Sequence, residues 1–159
     1  MCMNNQNVIT NNNLNKEQSL YERDFYQWAI HNAELLRQGR LTEIDIENIA
    51  EEIESMGRSE KKELVSRLRV LIMHLLKWQY QPKRRSKSWK LTINTQRIEL
   101  NKLLKGSPSL KHNIESIVNE AFEDARLLFE DETGIDKNLL PKTCPYTLEQ
   151  LKEHDFWIE

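Results

Sequence analysis

Leu64, Leu68, Leu71, Leu75 and Trp78 recur at intervals of three and four residues, and neither glycine nor proline interrupts the chain from Arg58 to Gln81. Side chains so spaced fall on one face of an α-helix. A seam of that length has to be buried against other elements, so it dictates what the remaining segments must be. They carry the same period. Phe25, Trp28, Ala29 and Leu36 form one stripe, Ile46, Ile49, Ile53 and Met56 a second, Trp89, Ile93, Leu100 and Leu104 a third, and Ile114, Val118, Ala121, Ala125 and Leu128 a fourth. No segment shows the alternation of a half-buried strand, and no internal repeat is visible.

The breaks between stripes are chemically marked. A first helix from Ser19 ends at Gly39, a residue suited to a left-handed cap. Thr42 with Asp45 three residues later resembles a capping box opening the second helix. Gly57 predicts a kink or break there, because glycine in a helix interior costs about 1 kcal/mol relative to alanine. Pro82 closes the seam. A third helix runs from about Ser86 to Leu104 and ends at Gly106, after which Ser107-Pro108 supplies an N-cap and a proline for the first helical position. The fourth helix ends near Gly134. A short last helix starts at Thr147, with Gln150 completing another capping box. Short connections between amphipathic helices imply antiparallel neighbours. The expected fold is all-α: an antiparallel helical bundle of four to five helices, formed as a single domain over 19–159. Residues 1–18 are expected to form a disordered N-terminal arm, since asparagine takes seven of the first sixteen positions and little there could offset ordering entropy.

The chain of 159 residues is long enough for one buried core. Its mean hydropathy of −0.72 fits helices with one apolar stripe and wide polar faces. The N-terminal stretch lacks the apolar core of a signal peptide. The longest apolar run, Val70 to Met73 and then Leu75-Leu76, is far too short to cross a bilayer. Cys2 and Cys144 lie at opposite ends, with no Cys-x-x-Cys pair, so neither a structural disulfide nor a thiolate metal site is expected. These features point to a cytoplasmic protein with no membrane partner.

The net charge of −2 conceals a partition. Residues 1–57 carry 4 Lys/Arg against 10 Asp/Glu, residues 58–105 carry 14 against 3, and residues 106–159 carry 5 against 12. The basic middle can be neutralised by acidic neighbours across the bundle, or some of its cations can converge on an anion. The densest run, Lys83-Arg84-Arg85-Ser86-Lys87-Ser88-Trp89-Lys90, sits where a helix begins. Free N–H groups and the helix dipole attract anions there. The candidate anion-binding residues are Lys77, Arg84, Arg85, Lys87, Trp89 and Arg97. Trp89 could stack on a base, and Arg85, four residues before it, is spaced for a cation–π contact if the helix begins early.

For catalysis the candidates are Glu51, Glu52 and His74, since carboxylates beside histidine and arginine are the ingredients of general acid–base chemistry. Arg67, His74, Lys77 and Gln81 share a helical stripe and could form a polar cluster, as structural networks also do. No metal site is expected. The four histidines are far apart, no His-x-x-x-His or Glu-x-x-His occurs, and His31-x-x-Glu34 and His112-x-x-Glu115 run in the reverse order. Neither a phosphate-binding glycine loop nor a Gly-x-Ser-x-Gly elbow is present, and no cofactor is expected.

Several motifs occur together in order. They are Tyr21-Glu22-x-Asp24-Phe25-x-x-Trp28, Leu36-Arg37-x-Gly39, Glu51-Glu52-Ile53-Glu54-x-x-Gly57, Arg67-Leu68, and His74-Leu75-Leu76-Lys77-Trp78. Gln81-Pro82, Arg85-x-x-Ser88-Trp89, Gln96-Arg97, Pro108-Ser109-Leu110, Cys144-Pro145-Tyr146 and Asp155-Phe156-Trp157 follow. In this the chain resembles a family of bacterial domains of unknown function, DUF29, over about residues 20–157. The resemblance implies an all-α bundle and carries over no catalytic or binding residue. The function expected from the residues is a small helical binding module that contacts an anionic partner, a nucleotide or nucleic acid, through the basic tryptophan-bearing turn. The alternatives are a hydrolase or nuclease-like enzyme using the Glu/His/Arg cluster, and a structural or regulatory protein partner without a ligand site.

Overall fold

The computed structural model describes residues 18–158. Apart from Gln18, which is exposed, the expected arm over 1–18 lies outside the described residues, as does Cys2. The described chain is all-α, without strands. Its helices are α1 (Leu20–Arg23), α2 (Phe25–Arg37), α3 (Ile46–Tyr80), α4 (Lys87–Gly106), α5 (Ile114–Thr133) and α6 (Leu148–Lys152), four of them long. The chain groups into two compact units, with the boundary between Glu52 and Ile53 inside α3.

In the first unit, Ser19 and Glu22 form a capping box on α1. The helix expected to run unbroken from Ser19 is interrupted at Asp24, whose φ of −151° is not helical and whose carboxylate accepts from the Gln27 N–H at 2.9 Å to open α2. The buried stripe of α2 is Trp28, Asn32 and Leu35. Phe25 and Leu36, expected to face inward, are exposed, although Phe25 stacks on Trp28. Gly39, at φ +69°, ends α2 in a Schellman motif: its own N–H donates to Leu36 O and the Arg40 N–H to Leu35 O. Thr42 does not open the next helix. Asp45 does, accepting from the Asn48 N–H at 3.4 Å and from the Asn48 amide at 2.8 Å.

The second unit is built on the C-terminal part of α3. Leu64, Leu68, Leu71 and Leu75 of the seam are fully buried, with Ile72 and Leu76 beside them, while Trp78 is partly buried. They pack with Ile93, Leu100 and Leu104 of α4, and with Ala121, Phe122, Ala125 and Phe129 of α5. Glu60 accepts from Ser107, Arg67 meets Gln96 and Lys77 lies over Trp89, so α4 runs antiparallel to α3. Lys77 against Glu132 and Tyr80 against Phe129 set the end of α5 beside the end of α3. Gly134, at φ +71°, caps α5 in the left-handed conformation. Ser107 precedes Pro108 as expected but caps nothing with its side chain, because its hydroxyl donates to Glu60 at 3.0 Å. Thr147 and Gln150 form the predicted capping box on α6.

Two expectations about α3 are corrected. Helix α3 runs through Gly57 without a break. Its first turns are not a buried stripe either, since Ile46, Ile53 and Met56 are 63%, 63% and 70% exposed. No residue of α3 is buried before Leu64, so nothing there offsets the cost of Gly57 by packing. A Cβ at Gly57 would meet nothing within 4 Å. Gly57→Ala is therefore expected to stabilise the chain by about 1 kcal/mol, read as a rise in urea midpoint with an unchanged m-value; a fall would show that the glycine relieves strain in the helix.

Candidate functional site

The cations of residues 58–105 meet four different fates. Arg97 falls in the phase of Ile93, Leu100 and Leu104 and is 1% exposed. Its guanidinium donates from Nε to Leu151 O (3.3 Å), from Nη1 to His154 O (3.2 Å), and from Nη2 to Gln150 O (3.4 Å) and Phe156 O (2.7 Å). Gln150 and Leu151 belong to the last turn of α6, whose carbonyls have no partner within the helix and form the negative end of its dipole. Burial pushes the Arg97 pKa down, while Glu153 and Asp155 act in the opposite direction. The expected anion ligand is thus a clamp: four carbonyl dipoles take the place of a carboxylate and tie α4 to the C-terminal segment. Asn101 adds a hydrogen bond to Lys152 O at 3.1 Å.

Arg85 does related work. Its Nε donates to Trp78 O at 2.9 Å, its Nη2 to Ile158 O at 3.2 Å, and its guanidinium lies 5.0 Å from the Trp78 ring centre. Trp78 Nε1 donates to the same Ile158 carbonyl at 3.2 Å. Trp157 packs against Trp78, with Lys90 and Arg97 each 5.3 Å from its ring. The cation–π contact conceivable between Arg85 and Trp89 does not form, because α4 begins only at Lys87, capped by the Ser86 hydroxyl. Trp89 is covered instead by Lys77, 4.6 Å from its ring and paired with Glu132 at 2.7 Å. One face of the tryptophan is thus taken from within the fold.

Lys83, Arg84 and Lys87 are different. All three are exposed, and none makes an ion pair among the described residues. They occupy the short 3-10 turn Pro82–Arg84 and the first residue of α4. Of the six expected anion ligands, Arg84 and Lys87 therefore stay open to solvent, whereas Lys77, Arg85, Trp89 and Arg97 have partners within the fold.

The candidate catalytic residues do not converge. Glu52 accepts a hydrogen bond from the Tyr21 hydroxyl, which raises the phenol pKa. Glu51 and Glu52 are separated from His74 by about six turns of α3. His74 Nδ1 lies 2.9 Å from Val70 O, a contact in which the ring nitrogen donates, and the acid that acts on it is Glu132. Arg67 pairs with Glu63 at 3.2 Å, whereas Lys77 and His74 both face Glu132. Among the described residues no three His, Cys, Asp or Glu side chains gather as a metal site. His31, Glu34, His112 and Glu115 are exposed.

Sequence reasoning missed Asn32. It is buried, donates to Trp28 O at 3.0 Å and accepts from the Asp45 N–H at 2.8 Å. Trp28 Nε1 donates to the Asp45 carboxylate at 2.9 Å, and hydrogen bonds from Asn48 and Trp28 hold that carboxyl below its usual range. The signal was Asn32's place in the apolar phase of α2.

Two outcomes follow. Arg97→Met leaves several buried carbonyls without donors and is expected to cost roughly 2–4 kcal/mol, with early protease cleavage near Trp157; an anion ligand at the surface would lose binding with little change in urea midpoint. For His74, burial pushes the pKa below the ordinary 6.5. The folded chain then resists protonation, so stability present above pH 6.5 is lost as pH falls through the folded pKa. Between pH 7 and pH 5 the wild type should lose more Tm than His74→Gln; equal losses would deny His74 this part.

No helix among the described residues is long and apolar enough to cross a membrane. No curated protein and no solved structure matches the chain. The family model described as a domain of unknown function, DUF29, matches residues 20–157, which takes in both units and the clamped Trp157. The chain belongs to the DUF29 family.

Proposed function

We propose that the chain is a small cytoplasmic binding module that docks on the phosphate backbone of nucleic acid through the turn between α3 and α4. The observation that carries this reading is the group Lys83, Arg84 and Lys87: three exposed cations without ion-pair partners among the described residues. They surround the start of α4, where the first N–H groups and the helix dipole favour negative charge. Neighbouring cations spent on Trp78, Trp89 and the C-terminal carbonyls hold the turn in place and leave these three outward. Lys77 already lies over Trp89, and no base stacking is invoked. Recognition is of backbone charge and is independent of sequence.

The reading fixes a number. Three phosphate contacts on duplex DNA give a slope of about −3 in log K against log salt, and about −2 on single strands. Fluorescence anisotropy with labelled duplex and single-stranded oligonucleotides at 20–200 mM salt, an on-the-order-of-tenfold range around the Debye regime, measures it. The triple variant Lys83→Ala/Arg84→Ala/Lys87→Ala should abolish binding at unchanged Tm. Absence of salt-sensitive binding, or a triple variant that binds like wild type, overturns the proposal.

A further inference from the structure

A second basic region lies away from that turn, within the second unit. Arg58, Lys61, Lys62 and Arg69 of α3 line a groove of about 380 Å³ with Val65, opposite Glu120 of α5. Four cations thus face one carboxylate. Arg58 is paired with Glu54 at 3.5 Å. Lys61 and Lys62 make no ion pair among the described residues and are exposed. Arg69 makes none either: its one hydrogen bond is a long contact of 3.4 Å from Nη2 to Ser66 Oγ, and its Nε is buried without an acceptor. With no carboxylate against it, the Arg69 guanidinium keeps Nη donors that an incoming oxyanion can use.

The floor has a different chemistry. Val65 and the methylene stems of the basic side chains make it largely apolar, and long basic side chains commonly cover apolar surface in this way. Arg69 also lines an adjoining hollow of about 180 Å³ with Asp124, Leu127 and Leu128. Leu127 is 47% exposed. The cationic mouth and the apolar trough therefore share one residue, Arg69. A phosphodiester backbone has no use for such a floor, and a neutral apolar molecule has none for the mouth. A groove of this volume is within the range that holds small molecules.

The geometry points to this groove as the site of a small amphiphilic anion, with one carboxylate or phosphate head between Lys61, Lys62 and Arg69 and an apolar body over Val65 toward Leu127 and Leu128. The head takes up the Nη donors of Arg69 and the ammonium groups of Lys61 and Lys62, and the body covers apolar surface that faces water. This site is independent of the turn at Lys83–Lys87.

Isothermal titration calorimetry of the full chain tests it with decanoate and decyl phosphate, each below its micelle concentration, and with decanol and inorganic phosphate as half-ligands. One saturable site per chain is expected for at least one amphiphile, and the tighter of the two identifies the head group. Each half-ligand should bind at least tenfold more weakly. Lys61→Ala/Lys62→Ala, which changes only exposed side chains, and Arg69→Met should each weaken the amphiphile about tenfold, while the triple variant of the turn should leave it unchanged. Failure of both amphiphiles to saturate, equal affinity for decanol, or indifference to both groove variants overturns the inference. The nucleic-acid titration is unaffected by any of these outcomes.

Discussion

Burial of one face of α3, from Leu64 to Leu76, is the constraint under which the second unit is assembled. Six side chains of that face are wholly removed from water. Each large aliphatic side chain so buried contributes about 1.5–3 kcal/mol. α4 and α5 contribute Ile93, Leu100, Leu104, Phe122 and Phe129 to the same core, and every polar contact of the unit is arranged around that packing. The uniform 3-4 spacing matters because it keeps the face straight along four turns, so that two helices can lie against it lengthwise.

The basic middle of the chain shows how a charge count can mislead about availability. Compensation by carboxylates accounts for only part of it, Lys77 with Glu132 being the clear pair between elements. Arg97 is instead satisfied by backbone carbonyls of the C-terminal segment, Arg85 by those of Trp78 and Ile158, and Lys90 by the face of Trp157. Carbonyl dipoles at the end of a helix carry no formal charge, yet in a buried setting they stabilise a guanidinium through several hydrogen bonds at once. The formal excess of positive charge thus remains while much of it is immobilised. What stays accessible includes the turn before α4 and the groove beside α5.

Much of this was legible. Helix class, the α3 seam, the left-handed cap at Gly39, the helix end near Gly134 and the capping box at Thr147 each rest on interactions within a few residues, which spacing encodes directly. Legibility failed where a residue's partner lies far along the chain. Arg97 and its acceptors are separated by more than fifty positions. An arginine in apolar phase was the visible sign of a buried clamp, but the acceptors are backbone atoms, which every residue has and no motif marks. The apolar phase of Ile46, Ile53 and Met56 was legible too and misled, since periodicity reports an apolar face and not whether anything covers it.

The sequence by itself determined that this chain is helical, where most of its helices stop, and which face of α3 seeks a core, because those outcomes depend on local backbone chemistry and on hydrophobic period. Tertiary structure alone decided which cations are consumed and which are left to solvent, that Glu51 and Glu52 stand apart from His74, and that the described chain packs as two units. Those outcomes depend on distances between residues remote in sequence, and electrostatic and hydrogen-bond energies change steeply over a few ångströms.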